Sequence, residues 1–121
     1  MPTQRQERVG QLLRDEISRI VQRGMRDPRL GLVTLTAVEV SADLRQARVY
    51  VSVYGDEETV RQTVEALSGA AGYIRVELSR AVKLRYIPEL TFHYDDSLAR
   101  GARVLELMEK LKHEQAGQDN E

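Results

Sequence analysis

The chain has 121 residues, 41% hydrophobic and 31% charged, with no cysteine and a net charge of -1. That length suits one domain with its own core, and the composition lies well away from the low-hydrophobicity, high-charge corner where chains stay unfolded. Disulfides, thiolate zinc sites and cysteine nucleophiles are excluded, and no apolar run approaches the roughly 18 residues that cross a membrane, so a cytoplasmic protein with no membrane attachment is expected.

Residues 5 to 23 place Val9, Leu12, Leu13, Ile17, Ile20 and Val21 at steps of three and four, the spacing of an amphipathic helix. Arg8, Arg14, Asp15, Arg19 and Arg23 take its other face. Gly24, Asp27-Pro28 and Gly31 combine permissive and restricted backbone, which predicts a stop near Gly24 and a loop carrying Arg26 and Arg29. Leu32 to Val40 and Gln46 to Tyr54 are rich in β-branched and aromatic residues and read as a hairpin. The second run alternates Ala47, Val49, Val51 and Val53 with Arg48, Tyr50, Ser52 and Tyr54, so one face is expected against a core. Ser41 to Arg45 is longer than a two-residue turn, which predicts a looser loop or a bulge there.

Asp56 is placed to cap a helix with Val60, Val64 and Leu67 on its buried stripe. A second helical pattern runs through Tyr73, Ile74, Leu78, Ala81 and Val82. Between them, Ser68-Gly69-Ala70-Ala71-Gly72 predicts a kink or tight break, with so little side chain that another backbone can come close. After Pro88, alternating Leu90, Phe92 and Tyr94 read as a third strand. Asp95, Asp96 or Ser97 is then placed to cap a last helix bearing Leu98, Leu105, Met108 and Leu111. The expected architecture is one α+β domain over residues 1–112, with a mixed three-stranded sheet, helices on one face and a C-terminal helix. Residues 113–121 read as a polar, disordered tail. A strand, a helical crossover and another strand favour parallel pairing of the second and third strands.

The net charge argues mildly against nucleic acid, but the charges are unevenly spread. Residues 1–31 carry seven Arg against four acids, and residues 69–88 carry four basic groups against Glu77, so each segment sums to +3. Basic side chains neutralise phosphates, and Arg also stacks on bases. The candidate contacts are Arg45, Arg48, Arg75, Arg80, Lys83 and Arg85, with Arg75 and Lys83 expected on exposed surface where substitution leaves stability nearly unchanged. The plainer reading of each is a solvated surface charge. Tyr50 and Tyr54 can stack on bases or form cross-strand packing pairs, and Phe92 reads as core.

No catalytic group stands out. Asp95 and Asp96 are explained by helix capping. His93 alternates with presumed core residues and faces outward without a second ligand nearby. Ser97 lacks a base. No cofactor or metal is expected, and an enzyme is not the favoured reading.

The order helix, strand, strand, kinked helix pair, strand resembles the type II KH domain. A closer resemblance is carried by Asp27-Pro28-Arg29, Leu32 to Ser41, Ala47 to Ser52, Arg75, Lys83-Leu84-Arg85, Pro88 to Phe92 and Asp95 to Leu98. Over residues 5 to 112 these are similar to the ribosome-binding factor A family, whose Ala-x-Gly helix kink falls on Ala70-Ala71-Gly72. Gly69 to Gly72 also satisfies the glycine-x-x-glycine pattern of RNA-clamping KH domains, but with uncharged alanines in the middle. The resemblance implies a late-acting factor that binds the immature 30S subunit and 16S rRNA, assists rRNA processing, matters most in the cold and leaves before translation. It also implies release linked to a small-subunit assembly GTPase, and a monomer. The alternative is a protein-binding adapter that docks a partner through the C-terminal helix.

Overall fold

A computed structural model describes residues 1–24, 32–97 and 105–112. Asp27-Pro28-Arg29, Arg26, Gly31, Leu98 and the tail 113–121 lie outside the described residues. The elements are α1 (Gln4–Gly24), β1 (Leu32–Val40), β2 (Gln46–Tyr54), α2 (Glu57–Gly69), α3 (Ala71–Ala81) and β3 (Glu89–Tyr94). Residues 105–112 are helical, with Leu105, Leu107, Met108 and Leu111 exposed. The sheet order is β1-β2-β3, with β1 antiparallel and β3 parallel to β2. This is the α+β, type II KH-like arrangement that the sequence pattern implied.

α1 begins one residue before the apolar pattern, because Thr3 and Gln6 form a reciprocal capping box. Gln6 N–H donates to Thr3 Oγ1 at 3.2 Å, and Thr3 N–H donates to Gln6 Oε1 at 2.8 Å, which satisfies two backbone donors at the helix start. The Gln6 amide also donates to Val40 O at 2.9 Å, tying that start to the end of β1. Val9, Leu13, Ile17 and Val21 face the core, whereas Leu12 lies outside it. They meet the inward residues of the strands, Leu35, Ala47, Val49, Val51, Val53, Leu90 and Phe92, together with Leu67, Ile74, Leu78 and Val82. Tyr73, Ala81 and Tyr94, which the apolar pattern placed inward, are exposed.

Close backbone approach occurs at a glycine that the sequence pattern did not single out. A Cβ on the buried Gly10 of α1 would sit 2.6 Å from Val38 O, so α1 lies on β1 only because residue 10 has no side chain. At Gly69 and Gly72 a Cβ would meet nothing within 4 Å. The close packing expected of those two glycines is therefore absent. The break itself falls on Ala70, at φ -94° and ψ 3°, whose N–H is shared between Ala66 O and Leu67 O at 3.1 Å each. Ala70 and Ala71 pack against the core, while both glycines face open space.

The β1–β2 connection is a turn, with Leu44 N–H donating to Ser41 O at 2.9 Å, followed by Leu44 itself at φ 62°. The one register shift falls inside β1, between Leu35 and Ala37, and not in the connection. Asp56 caps α2 as expected, its Oδ1 accepting from Thr59 N–H at 2.8 Å.

Gly10→Ala is expected to lower stability by about 1–3 kcal/mol through overpacking. A urea titration should show a lower midpoint with unchanged slope, whereas Gly72→Ala, at an exposed helical site, should be neutral or gain up to about 1 kcal/mol. The bonds from Thr59 hold the Asp56 carboxyl below its ordinary value of 3.8. A depressed native pKa stabilises the fold above the unfolded value and loses that contribution as pH falls through the native one. Wild type should therefore lose stability below about pH 4 more steeply than Asp56→Asn, which keeps a capping oxygen without the titration.

Candidate nucleic-acid interface

After α3 the chain runs extended, and alternation sorts its side chains. Val82 is buried and Leu84 half-buried, while Lys83, Arg85 and Tyr86 point outward. Ile87 returns to the core and Pro88 is buried. Two bonds hold this segment in place. Glu89 N–H donates to Arg45 O at 2.8 Å, continuing the parallel register in which Gln46 lies beside Glu89. From the helix side, Arg75 Nη2 donates to Ile87 O at 3.0 Å.

The first bond brings two loops together. Arg45, in the loop just before β2, and Arg85 both lie against the Tyr86 ring, their guanidinium carbons 5.4 Å and 5.6 Å from its centroid, within cation–π range. Beside them a cavity of about 260 Å³ is lined by Thr3, Arg5, Gln6, Asp43, Arg85 and Tyr86, among others. Asp43 is the acid of this region. Its carboxylate accepts from Ser41 Oγ at 2.6 Å and from Arg45 N–H at 3.1 Å. The Ser41 bond first, then the Arg45 backbone bond, hold it below the ordinary carboxylate range, so at neutral pH it is ionised and occupied in shaping the turn. Among the described residues, Arg45, Arg48, Lys83 and Arg85 form no ion pair.

The six candidate cations thus separate into different places. Arg45, Lys83 and Arg85 share the joined loops. Arg48 stands on the sheet face away from the helices, between Glu39 of β1 and Thr91 of β3. On that face Tyr50 packs against His93, ring centroids 5.5 Å apart, and its hydroxyl donates to Glu39 Oε2 at 3.5 Å. Tyr50 is therefore engaged in cross-strand packing, while Tyr54 is 81% exposed opposite Leu32. Arg80 is exposed and paired at 3.5 Å with Glu77 one turn earlier. Arg75 is half-buried, with its Nε enclosed and its Nη2 spent on Ile87 O. The expectation that it is a freely replaceable surface cation is overturned, because its guanidinium fastens the loop that carries Lys83, Arg85 and Tyr86.

Ala70, Ala71 and Gly72 lie at the opposite end of α3 from that loop. Eleven residues of helix rise about 16 Å, so the kink and the loop cations do not make one surface. Tyr86 and Arg5 are the members that sequence reasoning missed. An aromatic residue directly following Arg85 in a basic, proline-terminated loop was the available signal for Tyr86; nothing local pointed to Arg5. The Asp95 carboxylate accepts from Thr36 Oγ1 at 2.7 Å and from Ser97 N–H at 3.0 Å, a brace between β1 and the end of β3. A helix begins there, at Ser97, as the capping pattern predicted, and its continuation over residues 98–104 lies outside the described residues.

The model of the Ribosome-binding factor A family matches residues 5–108. The chain belongs to the ribosome-binding factor A family. The Ribosome-binding factor A of Halothermothrix orenii is 52% identical over 115 residues, covering 95% of this chain and 94% of that one. The crystal structure of ribosome-binding factor A from Thermus thermophilus superposes with a TM-score of 0.66 at 30% identity, covering 74% of this chain and 94% of that one. A homology model of the Thermus thermophilus protein, fitted into the cryo-EM map of a 30S complex, superposes with a TM-score of 0.61 at 32% identity, covering 72% and 91%. No helix among the described residues is long and apolar enough to cross a membrane, and no cluster of His and acidic residues among them is suited to a metal ion.

For this family member, Arg75→Ala is expected to cost about 1–3 kcal/mol, the usual result of leaving a buried polar partner unsatisfied. Arg80→Ala should stay within about 0.5 kcal/mol. Thermal unfolding of the two variants side by side measures the difference.

Proposed function

We propose that the protein is a ribosome-binding factor that acts on the immature 30S subunit through its 16S rRNA. The observation that carries this reading is the gathering of Arg45, Lys83 and Arg85 on two hydrogen-bonded loops, with no salt bridge among the described residues, in a member of a family whose Thermus thermophilus relative is described in a 30S complex. Guanidinium and ammonium groups outside any salt bridge are available to neutralise phosphates. A chain of net charge -1 does so locally, because several of its acids, among them Asp56, Glu58 and Glu65, are engaged in a helix cap and ion pairs away from this patch, and the one carboxylate in the cavity wall, Asp43, is engaged in its own turn.

On this reading residues 1–112 act as one monomeric RNA-binding unit in the cytoplasm. The protein works by binding, without turnover or cofactor, supports rRNA processing with most effect in the cold, and departs before translation with the help of an assembly GTPase. A second reading is favoured by one observation, the exposure of Leu105, Met108 and Leu111 on the helix of residues 105–112. That apolar row suits docking of a protein partner, and its binding would depend on those residues and hardly on salt.

Co-sedimentation with immature small subunits over a range of salt concentrations tests the proposal. Log affinity should fall with log salt, and Arg45→Ala and Arg85→Ala should each reduce the slope by about 0.7 if each removes one phosphate contact on single-stranded RNA. An affinity indifferent to salt and to both substitutions would instead favour the apolar helix.

A further inference from the structure

We infer that Tyr86 is a stacking platform for one unpaired RNA base, with Arg45 and Arg85 placed to take the phosphates on either side of it. The inference rests on the RNA-binding reading and names the nucleotide-level chemistry of its surface. Four observations converge on this ring. Tyr86 is 53% exposed, although aromatic rings carry the largest apolar surface a small domain can bury. Two guanidiniums lie against it, at 5.4 Å and 5.6 Å from the centroid, farther than the closest stacking contact, so neither seals the ring. Both arginines lack an ion-pair partner among the described residues. The cavity of about 260 Å³ beside the ring continues past Arg85 to Arg5 at the start of α1, which offers a third cation along the path of a backbone.

Arg5, Arg45 and Arg85 gather around one carboxylate, Asp43, so the site keeps a positive excess that favours an entering anion. The only acid in the cavity wall among the described residues, Asp43, is held by Ser41 and by the Arg45 backbone and is turned to shaping the loop. A phosphate alone would satisfy the guanidiniums and leave the ring wet. A base with its flanking phosphates satisfies both, and only an unpaired base exposes the face that stacking requires. The backbone that carries the ring is tied down just beyond it, by Arg75 Nη2 to Ile87 O and by Glu89 N–H to Arg45 O. Tyr86 is thus presented on a braced loop, in contrast to Tyr50, which is spent on His93.

The experiment compares wild type, Tyr86→Ala, Tyr86→Trp and Tyr54→Ala. Fluorescence anisotropy measures binding to a labelled oligoadenylate and to an abasic ribose-phosphate chain of equal length, and co-sedimentation with small-subunit particles runs in parallel. Tyr86→Ala should retain the wild-type melting temperature, since the ring is exposed. It should weaken oligoadenylate binding between about 5-fold and about 150-fold, the range for losing one stacked base, and leave the abasic chain unaffected. Tyr86→Trp should restore binding. Equal affinities of wild type and Tyr86→Ala for oligoadenylate would overturn the inference, as would equal losses on both probes, a loss confined to Tyr54→Ala, or no binding of oligoadenylate by wild type. Tyr86-dependent stacking in a protein that fails to co-sediment would defeat the ribosomal reading and uphold the platform. Co-sedimentation indifferent to Tyr86, with no stacking signature, would defeat the platform alone.

Discussion

The parallel pairing of β2 with β3 is the constraint on which the molecule turns. Ala47, Val49, Val51 and Val53 are buried on one face of β2, and β3 must lie so that Leu90 and Phe92 join them. A slip of one residue would turn that whole set toward water. The register that avoids this puts Gln46 beside Glu89, and the same ladder continues one bond further, from Glu89 N–H to Arg45 O. Core packing thereby determines which two loops meet, and so which arginines stand together around Tyr86. A hydrophobic requirement at the centre of the sheet is answered by an electrostatic arrangement at its end.

Arg75 and the glycines of the helical break have roles other than those their chemistry suggested. Arg75 carries a charge that would suit a phosphate, yet its guanidinium is half enclosed and bonded to a backbone carbonyl. Buried donors are costly when unpaired, so its effect on any ligand passes through the loop it holds. The glycines of the helical break are likewise not where the backbones crowd. Crowding belongs to Gly10, where α1 crosses β1 against Val38 O, while the break is made at Ala70 by a shift in backbone angles and a shared hydrogen bond.

Net charge is a poor guide to this surface. Asp43 and Asp56 are committed to turns and caps, and Glu16, Glu58, Glu65 and Glu77 pair with arginines on their own helices. Such pairs contribute little to stability at an exposed surface, but they remove those acids from competition. What is left open is a small cationic, aromatic patch on a nearly neutral chain.

Periodicity was enough to place the elements, because each is defined by which of its own side chains must leave water. The bounds of β1 and β2, the parallel crossover, the stop of α2 near Gly69 and the capping role of Asp56 were all legible in local pattern. Family membership was legible too, in the order of short segments from Asp27 to Leu98. Proximity between residues distant in the chain was not legible. Arg5 and Arg45 are far from Tyr86 in sequence, and each comes near it only through sheet register and the placement of α1. The same holds for the burial of Arg75 and the tight contact at Gly10, since what surrounds a side chain is set by elements that its own neighbours in the chain do not encode.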